Sequence, residues 1–203
     1  MGNITFKQYR NIDLTLFAVF LIISETVTTV ATNTWFAAQP VAISTTLTFI
    51  CILMMRWGGF AAIPATLGGL VFCIASGAEL HQYIIYIVGN AFALLSLFWF
   101  KLFKKEDIRK SYFKLFFFTL GAYILMQLGR WIVSLAFGGA LWNIVGYLAS
   151  DIISLLFAVV VMMILKNVDG MIEDQKTYLF RLERERRAEQ QAQSGYNGWG
   201  DED

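Results

Sequence analysis

The sequence predicts an all-α, polytopic membrane protein with six transmembrane helices and both termini on the cytoplasmic side. Three observations carry this. The 203 residues are 57% hydrophobic with a mean hydropathy of +0.58, too apolar for a soluble domain of this length. The apolar residues fall in six continuous runs and do not alternate with polar ones, which selects helices over a β-barrel. Lys and Arg gather at every second junction between the runs, the signature of a fixed orientation.

The runs are Asp13–Thr32, Pro40–Met55, Gly59–Ala75, Gln82–Phe100, Phe113–Phe137 and Leu141–Leu165. Each approaches the roughly 20 residues that a helix needs to cross about 30 Å of hydrocarbon, the second and third being short. Lys7 and Arg10 precede the first run and Arg56 separates the second from the third. Lys101, Lys104, Lys105, Arg109, Lys110 and Lys114 separate the fourth from the fifth, and Lys166 and Lys176 follow the sixth. The connections 33–39, 76–81 and 138–140 contain no Lys or Arg. The basic junctions are therefore expected inside and the others outside. The polar start, 1–11, does not read as a cleavable signal, so the first helix is expected to stay in the mature protein.

Residues 1–168 form the transmembrane domain in this reading. Residues 169–191 are expected to form a charged cytoplasmic helix, with Glu183 and Arg187 paired one turn apart. Its basic side is suited to the anionic headgroups of the lipid bilayer. Residues 192–203, rich in glycine and acidic at the end, are expected to be disordered. On the third run, Ala61, Ala65 and Gly69 recur every four residues, a spacing that permits close helix contact, within the bundle or with a partner. Cys51 and Cys73 lie in apolar runs without metal-site or disulfide spacing. The net charge of +1 gives no global field for nucleic acid, and none is expected as a partner.

Arg130 stands out among the 16 Lys and Arg residues, because it alone lies well inside an apolar run. Charge at membrane depth is costly and faces a protein interior or a wet cavity. Glu25 and Asp151 are acids within other runs, and Asn90 is an amide in the fourth. At about 1.5 Å per residue, all four fall roughly 10–15 Å below the outer surface. Four helices thus contribute polar groups at one level, which points to a shared pocket. The alternative is an ion pair that only locks helices, although desolvation makes such a pair a weak source of stability.

The outer rim is rich in aromatic and amide groups, among them Asn33, Trp35, Gln82, Tyr86, Trp131 and Asn143. Such groups hold flat heterocyclic ligands; the same residue types also form ordinary interfacial belts. Tyr86 and Trp131 are the deeper candidates. His81 with Glu79 does not make a metal site. Catalysis finds no support: Ser/His/Asp sets, HExxH and a P-loop are all missing, and neither enzymatic activity nor a cofactor is expected.

Two stretches, RWGGFAAIPATLGGLVF (Arg56–Phe72) and GYLASDIISLLFAVVVMMILK (Gly146–Lys166), together with the helix count and length, resemble the substrate-binding (S) components of energy-coupling factor vitamin transporters. The resemblance covers roughly residues 10–168. It implies a bacterial plasma-membrane protein that binds a vitamin-like molecule from outside. It also implies docking to a transmembrane coupling subunit that carries two ATPases. The ligand contacts it implies, from three outer loops and the outer ends of helices four to six, include Asn33, Trp35, Gln82, Tyr86, Asn90, Arg130, Trp131, Asn143 and Asp151. Many members carry an Ala-xxx-Ala pair on the first helix; here Ala18 is followed at that spacing by Ile22.

Two other classes compete. A stand-alone carrier or channel needs a polar path to the inner face, and the inner half of the bundle offers few polar residues. A non-transport membrane protein, such as an assembly or immunity factor, would use its charged tail to recruit partners and Arg130 and Asp151 to lock helices.

Overall fold

The computed structural model describes residues 5–37 and 41–197. Every regular element among them is helical: α1 (Phe6–Trp35), α2 (Thr46–Trp57), α3 (Ala62–Ser76), α4 (Leu80–Ala91), α5 (Trp99–Leu102), α6 (Lys105–Lys110), α7 (Tyr112–Leu135), α8 (Asn143–Ser150), α9 (Ile152–Leu165) and α10 (Gln175–Asn197), with 3₁₀ turns at Gly58–Ala61 and Phe92–Phe98. Local chemistry sets several boundaries. Thr5 and Gln8 form a capping box at the start of α1, and Glu79 and Gln82 form another at the start of α4. Ser111 caps α7 by accepting from the Lys114 amide at 3.4 Å. Gly58 and Gly77 end α2 and α3 at φ values of 62° and 65° that other residues rarely adopt.

Four helical stretches are long and apolar enough to cross a membrane: Phe6–Trp35, Thr46–Ser76, Leu80–Leu102 and Tyr112–Leu135. The pair α8 and α9 adds a fifth if counted as one span bent by 44°. The sixth apolar run is thus not one straight helix; it breaks at Asp151, whose backbone leaves helical geometry. The stretch Thr46–Ser76 does not run straight either. A Cβ on Gly68 would overlap the Thr46 side chain, so α3 folds back along α2. Read separately, α2 and α3 have 12 and 15 residues, about 18 and 22 Å, each less than a bilayer's hydrocarbon core.

The bundle is apolar outside and polar in places within. Phe20, Ile23, Val27, Leu95, Phe113 and Val160 are exposed, while Glu25, Asn90, Gln127, Arg130 and Asp151 are buried. This inverts the usual soluble arrangement and matches a chain whose solvent is lipid. At the centre stands α2, ten of whose twelve residues are buried, as expected for a helix apolar all round. It packs against α1, α3, α7 and α9. Leu47, Ile50 and Met54 join Phe118, Met126, Ala158 and Met162 in the core. The small-residue stripe of α3 turns inward: Ala61 and Ala65 are fully buried, and a Cβ on Gly69 would lie 2.9 Å from the Tyr86 backbone. Its role is packing inside the bundle.

Two further boundaries differ from the sequence reading. The fourth run shifts to 3₁₀ geometry over Phe92–Phe98, where Phe92 presses on Gly129 of α7. The charged tail helix begins at Gln175, after a folded segment over 166–174, and continues to Asn197. Residues 192–197, read from the sequence as disordered, continue α10, where the helix formers of the preceding stretch propagate the helix. Residues 198–203 lie outside the described residues.

Candidate functional site

Arg130 faces inward from α7 and is 4% exposed. It can sit there because α4 and α7 approach closely at glycines: a Cβ on Gly89 would fall 2.6 Å from the Arg130 Cα, and Gly129 backs onto Phe92 and the Gly89 carbonyl. The guanidinium is held on several sides. Nε donates to Asn90 Oδ1 at 2.9 Å. Nη1 donates to Asp151 Oδ2 at 2.8 Å and to Gln127 Oε1 at 3.2 Å. Its carbon lies 4.7 Å from the centre of the Tyr86 ring, a cation–π contact. Nη2, with two N–H groups, has among the described residues only the Met126 sulfur at 3.9 Å, a weak acceptor.

Asp151 is buried and well supplied with donors. Besides Arg130 it accepts from Gln127 Nε2 at 2.8 Å and from the Ser154 hydroxyl. The break between α8 and α9 brings its side chain to this position. Asn90 passes the network on, donating from Nδ2 to the Ala65 carbonyl of α3 at 3.3 Å.

Glu25 joins from the other side. Its Oε2 accepts from Thr45 N at 2.7 Å, Thr45 Oγ1 at 2.9 Å and Thr46 N at 3.0 Å, so α1 closes the N-terminus of α2. The Ser44 amide donates to Ser154 Oγ at 2.8 Å, linking this group to Asp151. The Ala42 amide donates to the Ser150 carbonyl at 2.9 Å beside it. One hydrogen-bonded belt thus joins α1, the connection 41–45, α9, α7, α4 and α3.

The structure brings together five of the ten residues singled out from the sequence: Glu25, Tyr86, Asn90, Arg130 and Asp151. Trp131 follows Arg130 with its Nε1 buried and unpartnered among the described residues. Gln82 is taken up in the cap of α4, its Oε1 accepting from the Glu79 amide at 3.1 Å. Asn33, Trp35 and Asn143 are exposed at the rim, Trp35 by 78%. Sequence reading missed Gln127, Ser44, Thr45 and Ser154. Gln127 had a visible signal, one turn before Arg130; the others become neighbours only through the chain reversals.

A second polar cluster lies at the basic end. Arg56 is 5% exposed, so Arg130 is not the only deeply buried basic residue. Arg56 donates to both carboxylate oxygens of Asp13, at 3.0 and 2.6 Å, and through Nη1 to the carbonyls of Gly170 and Met171, at 2.6 and 2.9 Å. Trp57 Nε1 also donates to Asp13, at 2.6 Å. Arg109 and Arg181 meet Glu173, at 2.5 and 3.3 Å, and Lys105 meets Asp174 at 2.6 Å. Two cavities flank this end. One of about 400 Å³ is lined by Lys104, Arg109 and Glu173, and one of about 430 Å³ by Phe6, Tyr9, Leu179 and Phe180. Among the described residues no three His, Cys, Asp or Glu side chains group as metal ligands.

Compared with family models, curated proteins and solved structures, the chain matches none.

Proposed function

We propose that this chain is the substrate-binding subunit of an energy-coupling factor type importer, taking up a vitamin or related micronutrient with an anionic or zwitterionic group. The observation that carries the reading is the guanidinium of Arg130. Three contacts to Asn90, Gln127 and Asp151 fix its plane, while Nη2 faces only a thioether. A pre-oriented cation with donors left over suits a carboxylate or phosphate. The Tyr86 ring backs the guanidinium at 4.7 Å and helps to hold its plane.

In this proposal six membrane passes place both termini and the basic end in the cytoplasm. The Arg130 level then lies towards the outside. The ligand enters from that side, past the connection 41–45 and the rim residues Asn33, Trp35 and Asn143. Docking to a coupling subunit with two ATPases supplies the energy for release inside.

The test is thermal unfolding of the detergent-purified chain against a panel of vitamins and their precursors. A ligand at a hundred times its dissociation constant adds about 2.7 kcal/mol if it binds only the folded form. One strong hit, lost in Arg130→Ala with folding retained, supports the proposal. A flat panel with monodisperse protein that carries no retained ligand removes it.

A second reading rests on the tail. α10 is tied to the basic end through Arg181, with Tyr9 bonded to Gln175 at 3.1 Å. A non-transport protein would use that docked helix to recruit a partner. Deleting 182–203 leaves ligand stabilisation intact under the first reading and abolishes partner capture under the second.

A further inference from the structure

We propose that Glu25, Thr29 and Thr46 supply three oxygens of a binding site for a small monovalent cation such as sodium. Three independent observations point to it.

The first is unpartnered oxygen. Glu25 is fully buried and Thr29 and Thr46 are each 1% exposed. Glu25 Oε1, Thr29 Oγ1 and Thr46 Oγ1 have no hydrogen-bond partner among the described residues. Buried polar groups in a bundle are otherwise satisfied, and a carboxylate oxygen is among the most expensive to leave bare. The three are neighbours: Thr29 is one turn beyond Glu25 on the same face of α1, and the Thr46 amide bonds to the other oxygen of the same carboxylate.

The second is the conduct of the threonines on α1. Thr26, Thr28, Thr32 and Thr34 each donate to the carbonyl four residues back, at 2.7 to 2.8 Å. That is the default for a helical threonine with nothing else to bond. Thr29 is the buried threonine of α1 that departs from it, its hydroxyl remaining available for another partner; Thr15 makes no such bond either, but it is exposed.

The third is charge. The belt from Glu25 through Ser44 and Ser154 to Asp151 and Arg130 contains two carboxylates and one guanidinium. Glu25 Oε2 accepts three hydrogen bonds and Oε1 none. An ionised Glu25 in this apolar bundle needs a counter-charge, since the guanidinium of the belt is already paired with Asp151. A proton on Oε1 is the alternative occupant, with the Thr29 or Thr46 hydroxyl as its acceptor. A monovalent cation supplies the counter-charge and uses all three oxygens at once. Gly68 makes the arrangement possible, since any side chain there would displace Thr46.

The site is independent of what Arg130 binds, so its test needs no organic ligand. The full chain in detergent is unfolded thermally in sodium, potassium and choline chloride at constant ionic strength, and ²²Na⁺ retention is measured alongside. The expected result is a saturable rise in Tm with sodium over choline. Thr29→Val should raise the half-saturating sodium concentration about tenfold, the scale of one lost contact, and Glu25→Gln should abolish the response. If Glu25→Gln does not fold, Thr29→Val decides. The proposal is overturned by a Tm indifferent to sodium with no ²²Na⁺ retained. A sodium response equal in wild type and Thr29→Val also overturns it. So does stabilisation by acid alone, which would assign Glu25 a proton.

Discussion

Two buried arginine–aspartate pairs stand at opposite ends of α2, and their partners separate them in kind. At the basic end Arg56 grips both oxygens of Asp13 and two backbone carbonyls, four hydrogen bonds to oxygen in all. Trp57 adds a donor to the same carboxylate. At the other end Arg130 makes three hydrogen bonds to oxygen, to Asn90, Gln127 and one oxygen of Asp151, and points Nη2 at sulfur. The first pair has spent its geometry on holding the chain; the second retains directed capacity. The two arginines are nearly equally buried, 5% and 4% exposed, so burial of a cation does not mark a binding site by itself. What distinguishes them is how many strong acceptors the protein itself supplies.

The sharpest way to break this contrast is to remove each arginine in turn and measure thermal unfolding. Arg56→Ala strands Asp13 and two carbonyls and is expected to cost about 3–5 kcal/mol, the penalty for an uncompensated buried charge. Arg130→Ala leaves Asp151, 1% exposed, with donors from Gln127 and Ser154 but without its cation, and the expected cost is of the same order, about 3–5 kcal/mol. Any ligand-induced stabilisation should vanish with it. A wild-type chain with no ligand-induced stabilisation to lose would make Arg130 a lock like Arg56.

Two substitutions sharpen the picture further. Arg130→Lys keeps the charge and loses the planar fork, so ligand affinity should fall at least about tenfold with little change in Tm. Gly89→Ala puts a methyl 2.6 Å from the Arg130 backbone. It must push α4 from α7, at about 1–3 kcal/mol, and should weaken ligand binding as the Asn90–Arg130 contact opens. The smallest effect is expected for Arg181→Ala. Its guanidinium is 41% exposed and pairs with Asp169 and Glu173, so the loss should stay under about 1 kcal/mol. Raised salt should shrink it further.

Much of this was legible in the chain. Continuous apolar runs give helices, and the depth argument brings Glu25, Asn90, Arg130 and Asp151 to one level because helix rise is a fixed length. The single polar level survives as a hydrogen-bonded belt. Arg56 escaped because it falls between two apolar runs, where charge reads as a loop that sets orientation. Only the return of the segment around Gly170 buries it. Ser44 and Ser154 escaped for a similar reason: small hydroxyls carry no signal until a chain reversal gives them neighbours 110 residues away. The break at Asp151 is hidden by the apolar residues on both sides, since hydropathy does not register backbone geometry. The rim residues Asn33, Trp35 and Asn143 were nominated by composition, and composition does not place a side chain.

One consequence follows from the way α1 is fastened. It holds α2 at both ends, with Glu25 at the N-terminus and Asp13 at the C-terminus. The two helices are therefore laced like adjacent rungs and cannot slide past one another without breaking both ties. By contrast, the described hydrogen bonds between the strap 41–44 and the α8–α9 wall are two, Ala42 to Ser150 and Ser44 to Ser154. Fastening is thus unequal around the belt: the α1–α2 pair is tied by charged groups at both ends, and the seam by two hydrogen bonds between uncharged groups.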